Sequence, residues 1–81
     1  MKTGMKLTAV GMNMEEATIV KWFKQPGEAF KKGDPIYEIE TEKVSSEVEA
    51  PADGVLIEIL VEEDEDAEVG QEVCIVELEE G

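Results

Sequence analysis

Between Ile36 and Ala50 the chain alternates in polarity with a period of two. Tyr37, Ile39 and Thr41 interleave with Glu38, Glu40 and Glu42, and beyond Lys43 the pattern resumes with Val44, Ser46, Val48 and Ala50 against Ser45, Glu47 and Glu49. That period belongs to half-buried strands, so two strands joined by a tight turn at Glu42-Lys43 are expected. The β-branched segments "ATIVKWF" and "GVLIEILV" favour extended structure too. No window places apolar residues at helical spacing behind a cap. Turn chemistry occurs twice in "QPGEAFKKGDP", at Pro26-Gly27 and at Gly33-Asp34-Pro35. The pattern predicts an all-β fold.

Sliding the chain on itself by 37 residues, the distance from Gly33 to Gly70, lays "ATIVKWFKQPGEAFKKGDPIYEIETE" over "GVLIEILVEEDEDAEVGQEVCIVELE". Ile19 falls on Leu56, Val20 on Ile57, Trp22 on Ile59, Phe23 on Leu60, Ile36 on Val73 and Ile39 on Val76. Two such halves, each too small to bury its own apolar face, are expected to pack about an approximate two-fold axis as the two sheets of a sandwich. The same slide lays Lys43 on Lys6, near the start, and Glu42 on Glu79, near the end. From this we expect the link between the halves and the two chain ends at opposite poles, with Lys43 at the tip.

Composition narrows the chemistry. The 81 residues suit a single small domain, 1–81, with no room for a roofed active site. The chain has no His and one Cys, which removes the usual general base, an internal disulfide and any Cys/His metal cluster. Lysines number 7 against 21 Asp and Glu, a net charge of −14, which repels nucleic acid and anionic membrane as partners. No apolar run reaches the length of a membrane span, and "MKTGMKL" lacks the apolar block of a secretory signal, so a cytoplasmic location is expected. The expected class is a non-catalytic domain, monomeric by itself.

Lys43 is the last basic residue, set among Glu40, Glu42 and Glu47. A lysine serves as a general base or Schiff-base former when it is buried or beside another cation, and neither holds here. A protruding amine on a rigid turn is instead suited to being acylated by another enzyme, after which an attached cofactor supplies the chemistry the chain lacks. The alternative is a solubilising lysine on an unmodified β scaffold or interaction module.

At these residues the sequence resembles the lipoyl domains of the dihydrolipoamide acyltransferase component of 2-oxo acid and acetoin dehydrogenase complexes. The likeness runs from about Lys6 to Glu79. "IYEIETEKVSSEVEAPADGVL" resembles that family's attachment hairpin, and "VGMNMEEATIVKWFKQPGEAFKKGDP" its first half. The resemblance implies a flattened β-barrel or sandwich of two four-stranded antiparallel sheets with quasi-two-fold symmetry, and lipoate in amide linkage to Lys43. It further implies a swinging arm that carries acyl groups and electrons. The implied partners are a lipoate ligase or lipoyl transferase, a thiamine diphosphate-dependent decarboxylase, the acyltransferase core and a dihydrolipoyl dehydrogenase. Glu40, Glu42 and Val44 are the candidate recognition residues. Three departures stand out: Glu42 where the family usually has Asp, Ala17 where it has Gly, and "VEEDEDAEVG" for a loop that more often reads Glu-Gly-Asp. The related biotinyl carrier domains frame their lysine with two methionines, whereas Lys43 lies between Glu42 and Val44.

Other residues invite blander readings. Met12 and Met14 are expected to close the core or edge a loop, Trp22 to be buried or half-buried, and Cys74 to act as a small apolar strand residue. "EEDED", residues 62–66, lacks the ligand spacing and central glycine of a calcium loop and reads as a solvated loop.

Overall fold

The structure, a computed structural model, describes residues 1–8 and 14–79, so Met12 lies outside the described residues. Eight strands make up the regular structure: β1 (Lys2–Lys6), β2 (Glu16–Trp22), β3 (Ala29–Phe30), β4 (Pro35–Glu40), β5 (Ser45–Glu49), β6 (Gly54–Ile59), β7 (Asp66–Glu68) and β8 (Glu72–Leu78). They form two four-stranded antiparallel sheets, ordered β1-β8-β6-β3 and β5-β4-β2-β7. The all-β expectation and the two four-stranded sheets hold, but the expectation that each half forms one sheet is corrected: β1 and β3 join β6 and β8 in one sheet, and β2 and β4 join β5 and β7 in the other, so the halves interlock.

The two sheets share several equivalent backbone bonds. Gly27 N donates to Leu56 O and Asp64 N to Ile19 O, both at 2.7 Å. Phe23 N donates to Ile36 O, as Leu60 N does to Val73 O. Gly33 N donates to Ala50 O, as Gly70 N does to Leu7 O. The two glycines have φ values of 89° and 94°, a region open to Gly at little cost, which is why this turn stays in register between the halves.

One detail of the expected repeat is corrected. The 37-residue offset holds for β2 with β6, β3 with β7, and β4 with β8, but β1 matches β5 at 43 residues. Thr3 lies opposite Val76 and Ser46 opposite Ile39, so Thr3 is the counterpart of Ser46. Lys6, opposite Glu72, therefore corresponds to Glu49, opposite Pro35, and not to Lys43. The connection that leaves the first strand is longer in the first half, from Lys6 to Glu16, than in the second, from Glu49 to Gly54, and only the backbone pairing carries the symmetry there.

Both inner faces supply the core: Ile19, Trp22, Phe30, Ile36, Tyr37, Ile39, Leu56, Val73, Cys74 and Val76 are all buried, together with Leu7 and Val61. The Trp22 and Tyr37 rings lie 4.9 Å apart at 44°, and Trp22 Nε1 donates to Val61 O at 3.0 Å, which satisfies the indole in the interior. Strict alternation fails at Ile36, buried beside buried Tyr37, because the β4–β5 register shifts between Pro35 and Tyr37. Cys74 is buried as a free thiol, and Met14 is half-buried against the core.

Ala17 needs no glycine. Among the described residues the only non-glycine with positive φ is Asp64, so Ala17 has an ordinary torsion, and its small side chain faces Ala67 across β2–β7. Its counterpart Gly54 faces Phe30, and a Cβ there would run into the Glu77 carbonyl and the Phe30 ring. A large–small pair in one sheet is matched by a small–small pair in the other.

Candidate functional site

Two sets of hydrogen bonds locate the poles. Met1 and Leu78 bond reciprocally, Met1 N to Leu78 O at 2.7 Å and Leu78 N to Met1 O at 2.8 Å, and Glu79 N reaches Asp53 O. Asp53 also accepts from Lys32 N, beside the turn that starts β4 at Pro35. From there β4 runs six residues away, roughly 20 Å at ~3.3 Å per residue, before the chain turns at 41–44. The molecule is 35 Å along its longest axis. Lys43 thus sits at the pole remote from both chain ends.

The turn connects Glu40 and Ser45, which pair in register. Thr41 N donates to Val44 O at 2.8 Å and closes the loop. The Thr41 hydroxyl does the rest: its Oγ1 accepts from Val44 N at 3.2 Å and from Lys43 N at 3.3 Å, and donates to Val44 O at 3.3 Å. Lys43 and Glu42 are exposed, and no carboxylate lies within ion-pair distance of the Lys43 amine among the described residues. The flanking glutamates shape the field around the amine without pinning it.

Beside the turn runs an open groove of about 910 Å³, lined by Glu40, Thr41, Glu42, Lys43 and Val44 on one side and by Met14 to Thr18, Val20 and Asp66 on the other. The sequence-predicted residues Lys43, Glu40, Glu42 and Val44 are therefore brought together around one surface. Val44 departs from its strand parity: it belongs to the turn and is 48% exposed, not inward-facing. Sequence reasoning missed Thr41, assigned only as an inward strand residue, and missed Glu15, Glu16 and Asp66. Asp66 arrives because β7 pairs with β2, where the Thr18 hydroxyl donates to Asp66 Oδ1 at 2.6 Å. One member of the acidic 62–66 loop thus reaches the pole that carries Lys43. No carboxylate cluster of metal-binding geometry occurs among the described residues.

The buried groups elsewhere are not arranged for chemistry. Burial pushes the Cys74 thiol up to about 12, and burial with the nearby Cys74 raises the Tyr37 phenol above its ordinary range, so both stay neutral and unreactive.

Comparison with known proteins agrees with this geometry. The sequence profile of the biotin/lipoyl family, described as "Biotin-requiring enzyme", matches residues 3–76. The dihydrolipoyllysine-residue succinyltransferase component of the 2-oxoglutarate dehydrogenase complex of Bartonella vinsonii subsp. berkhoffii is 40% identical over 95% of this chain and 19% of its own length. The dihydrolipoyllysine-residue acetyltransferase component of the acetoin cleaving system of Pseudomonas putida is 41% identical over 82% of this chain and 18% of its own. The chain therefore spans less than a fifth of the length of these relatives. Among solved structures, a single-chain, multi-domain long-chain acyl-CoA carboxylase superposes over 99% of this chain and 7% of its own with a TM-score of 0.82. At 14% identity that likeness shows the fold alone. The lipoyl domain of the 2-oxoglutarate dehydrogenase complex of Azotobacter vinelandii superposes with a TM-score of 0.76 at 35% identity, covering 91% of this chain and 94% of that one. With a profile match over nearly its whole length and a lipoyl domain matched almost end to end, the chain belongs to the biotin/lipoyl attachment family, as a lipoyl domain, a carrier module and not a catalyst.

Proposed function

We propose that Lys43 bears lipoate in amide linkage and that the domain serves as the swinging arm of a 2-oxo acid or acetoin dehydrogenase complex. The observation that carries this is the exposed Lys43 amine, unpaired among the described residues, at the apex of a hydrogen-bonded turn at the pole opposite Met1 and Glu79. The residues fit the group: an amine free of carboxylate partners can enter another enzyme's site. A bound dithiolane would supply the redox and acyl-carrying chemistry. The chain's own residues present it: Thr41 and the β4–β5 ladder hold the turn, and tethering at the far pole leaves the tip clear to visit successive sites at high effective concentration.

Glu40, Glu42 and Val44 are proposed as the surface read by a lipoate ligase or lipoyl transferase and by a thiamine diphosphate-dependent decarboxylase, with the acyltransferase core and a dihydrolipoyl dehydrogenase as the further partners. Charge complementarity at the carboxylate-rich groove favours partner surfaces rich in Lys and Arg. A cytoplasmic location goes with this reading. Biotin is disfavoured because Glu42 and Val44, not methionines, flank the lysine.

The test is an intact mass after incubation with lipoate, ATP and a lipoate ligase. One added lipoyl group, absent from Lys43→Ala, is the expected result, and a folded wild-type domain that gains no mass overturns the assignment. A parallel incubation with biotin and a biotin ligase is expected to add nothing.

A further inference from the structure

We infer that Thr41 is the positioning residue of the attachment site, its hydroxyl holding Lys43 in the geometry a modifying enzyme accepts. The inference rests on the carrier reading of Lys43 and names the group that makes this lysine a substrate.

The turn has little else to hold it. Glu42, Lys43 and Val44 are exposed, so packing does little to fix the loop. Neither central residue, Glu42 nor Lys43, adopts the positive φ of the primed turns whose twist matches a hairpin. A turn with both φ values negative tends to splay its strands and needs a further constraint. The Thr41 hydroxyl supplies it by bonding Lys43 N, Val44 N and Val44 O at once. No other side chain bonds the backbone of residues 42–44 among the described residues.

The other half of the domain provides a comparison built into the same molecule. Leu78 is the counterpart of Thr41 and Met1 the counterpart of Val44: Leu78 N donates to Met1 O just as Thr41 N donates to Val44 O. Where no lysine turn exists, the position is apolar and packs against the core. Where the lysine turn exists, the position carries a hydroxyl spent wholly on that turn. The bare strand pairing is made by Leu as well as by Thr, so the ladder does not require the hydroxyl.

A turn without this lock samples many conformers, and a ligase that accepts one of them sees a reduced competent fraction. The apparent affinity falls by that fraction while the chemical step is untouched. Ligation kinetics with lipoate, ATP and a lipoate ligase, followed by intact mass, are therefore measured for wild type, Thr41→Val and Thr41→Ser. In Thr41→Val the KM for the domain is expected to rise about tenfold at nearly unchanged kcat, and Thr41→Ser is expected to restore the wild-type value. Amide exchange at Lys43 and Val44 is expected to quicken about tenfold in Thr41→Val alone, with the melting temperatures of the variants close to wild type.

A folded Thr41→Val modified with the wild-type KM overturns the inference, and so does a Thr41→Ser as impaired as Thr41→Val. Exchange of the Lys43 and Val44 amides at unstructured rates in the wild-type domain overturns it without any variant. These results differ from failure of the carrier reading, in which the wild type itself gains no lipoyl group.

Discussion

Tyr37 and Cys74 are the same position in the two halves of the domain. Tyr37 pairs with Trp22 across β2–β4 and Cys74 with Ile59 across β6–β8, and both side chains are completely buried. Burial and the nearby Cys74 raise the Tyr37 phenol above its ordinary range, and among the described residues its hydroxyl has no hydrogen-bond partner. A hydroxyl desolvated without compensation costs about 1–3 kcal/mol. Tyr37→Phe keeps the ring against Trp22 and removes the orphaned oxygen. It is expected to leave stability unchanged or raise it by about 1 kcal/mol, as read from urea unfolding at neutral pH.

The same pair governs behaviour in alkali. Burial holds Cys74 neutral up to about 12, from an ordinary 9.0, and Tyr37 is raised as well. The native state therefore keeps protons that the unfolded chain releases, so stability falls as pH rises. The contribution is full below about pH 9 and is lost progressively toward pH 12. Unfolding free energies across that range are expected to decline in the wild type and to decline less steeply in the double variant Tyr37→Phe/Cys74→Ala. Equal slopes would contradict this account.

Asp64 stands where the first half has Gly27. Its φ is 69° against 93° for the glycine, and the two amides make the same 2.7 Å bond. The acidic loop has thus kept its backbone path after losing the glycine, relying on the tolerance of Asp for left-handed conformations. Asp64→Gly is expected to relieve that strain and one negative charge, raising stability by about 0.5–1 kcal/mol. Asp64→Val, β-branched at the same torsion, is expected to lower it by a larger amount. Thermal melts of the two variants give the comparison.

Glu38 lies directly opposite Glu47 across β4–β5, and Glu16 opposite Glu68 across β2–β7. Like charges facing one another destabilise a ladder, and salt screens them. Glu47→Lys is expected to raise stability by about 0.5 kcal/mol at low ionic strength. The gain is expected to shrink as sodium chloride approaches molar concentration, while the wild type itself becomes more stable. Melting temperatures in a salt series decide it, and a wild type indifferent to salt would contradict the charge argument.

Particular residues show why some of this was legible in the sequence and some was not. Gly33 and Gly70 advertised the repeat because positive φ leaves a compositional mark. Tyr37, Ile39 and the intervening glutamates announced the β4 hairpin because burial on one face imposes alternation. The 43-residue offset of β1 was hidden, since "KTGMK" and "SSEVE" share backbone pairing and no side-chain pattern. Thr41 was hidden for a related reason: a threonine in an alternating run looks like any β-branched strand residue, and its hydroxyl acquires a task only once the loop conformation is known. Glu15 could be placed beside Lys43 only by the register of β2 on β4, and Asp66 only by the further pairing of β7 with β2, a contact between segments far apart in sequence.

The reciprocal bonds between Met1 and Leu78 reproduce, at the pole away from Lys43, the pairing that Thr41 and Val44 make beneath the lysine turn. Putting a two-residue bridge in place of residues 79–81 is expected to circularise the polypeptide at the loss of the Glu79–Asp53 backbone bond, with a new opening made at the Gly33 or Gly70 turn. In such a permutant, a Glu-Lys bridge from Leu78 to Met1 would be a second lysine hairpin, related to the first by the approximate two-fold axis and set among different side chains. It would separate what a modifying enzyme reads in the bend from what it reads in the neighbouring side chains.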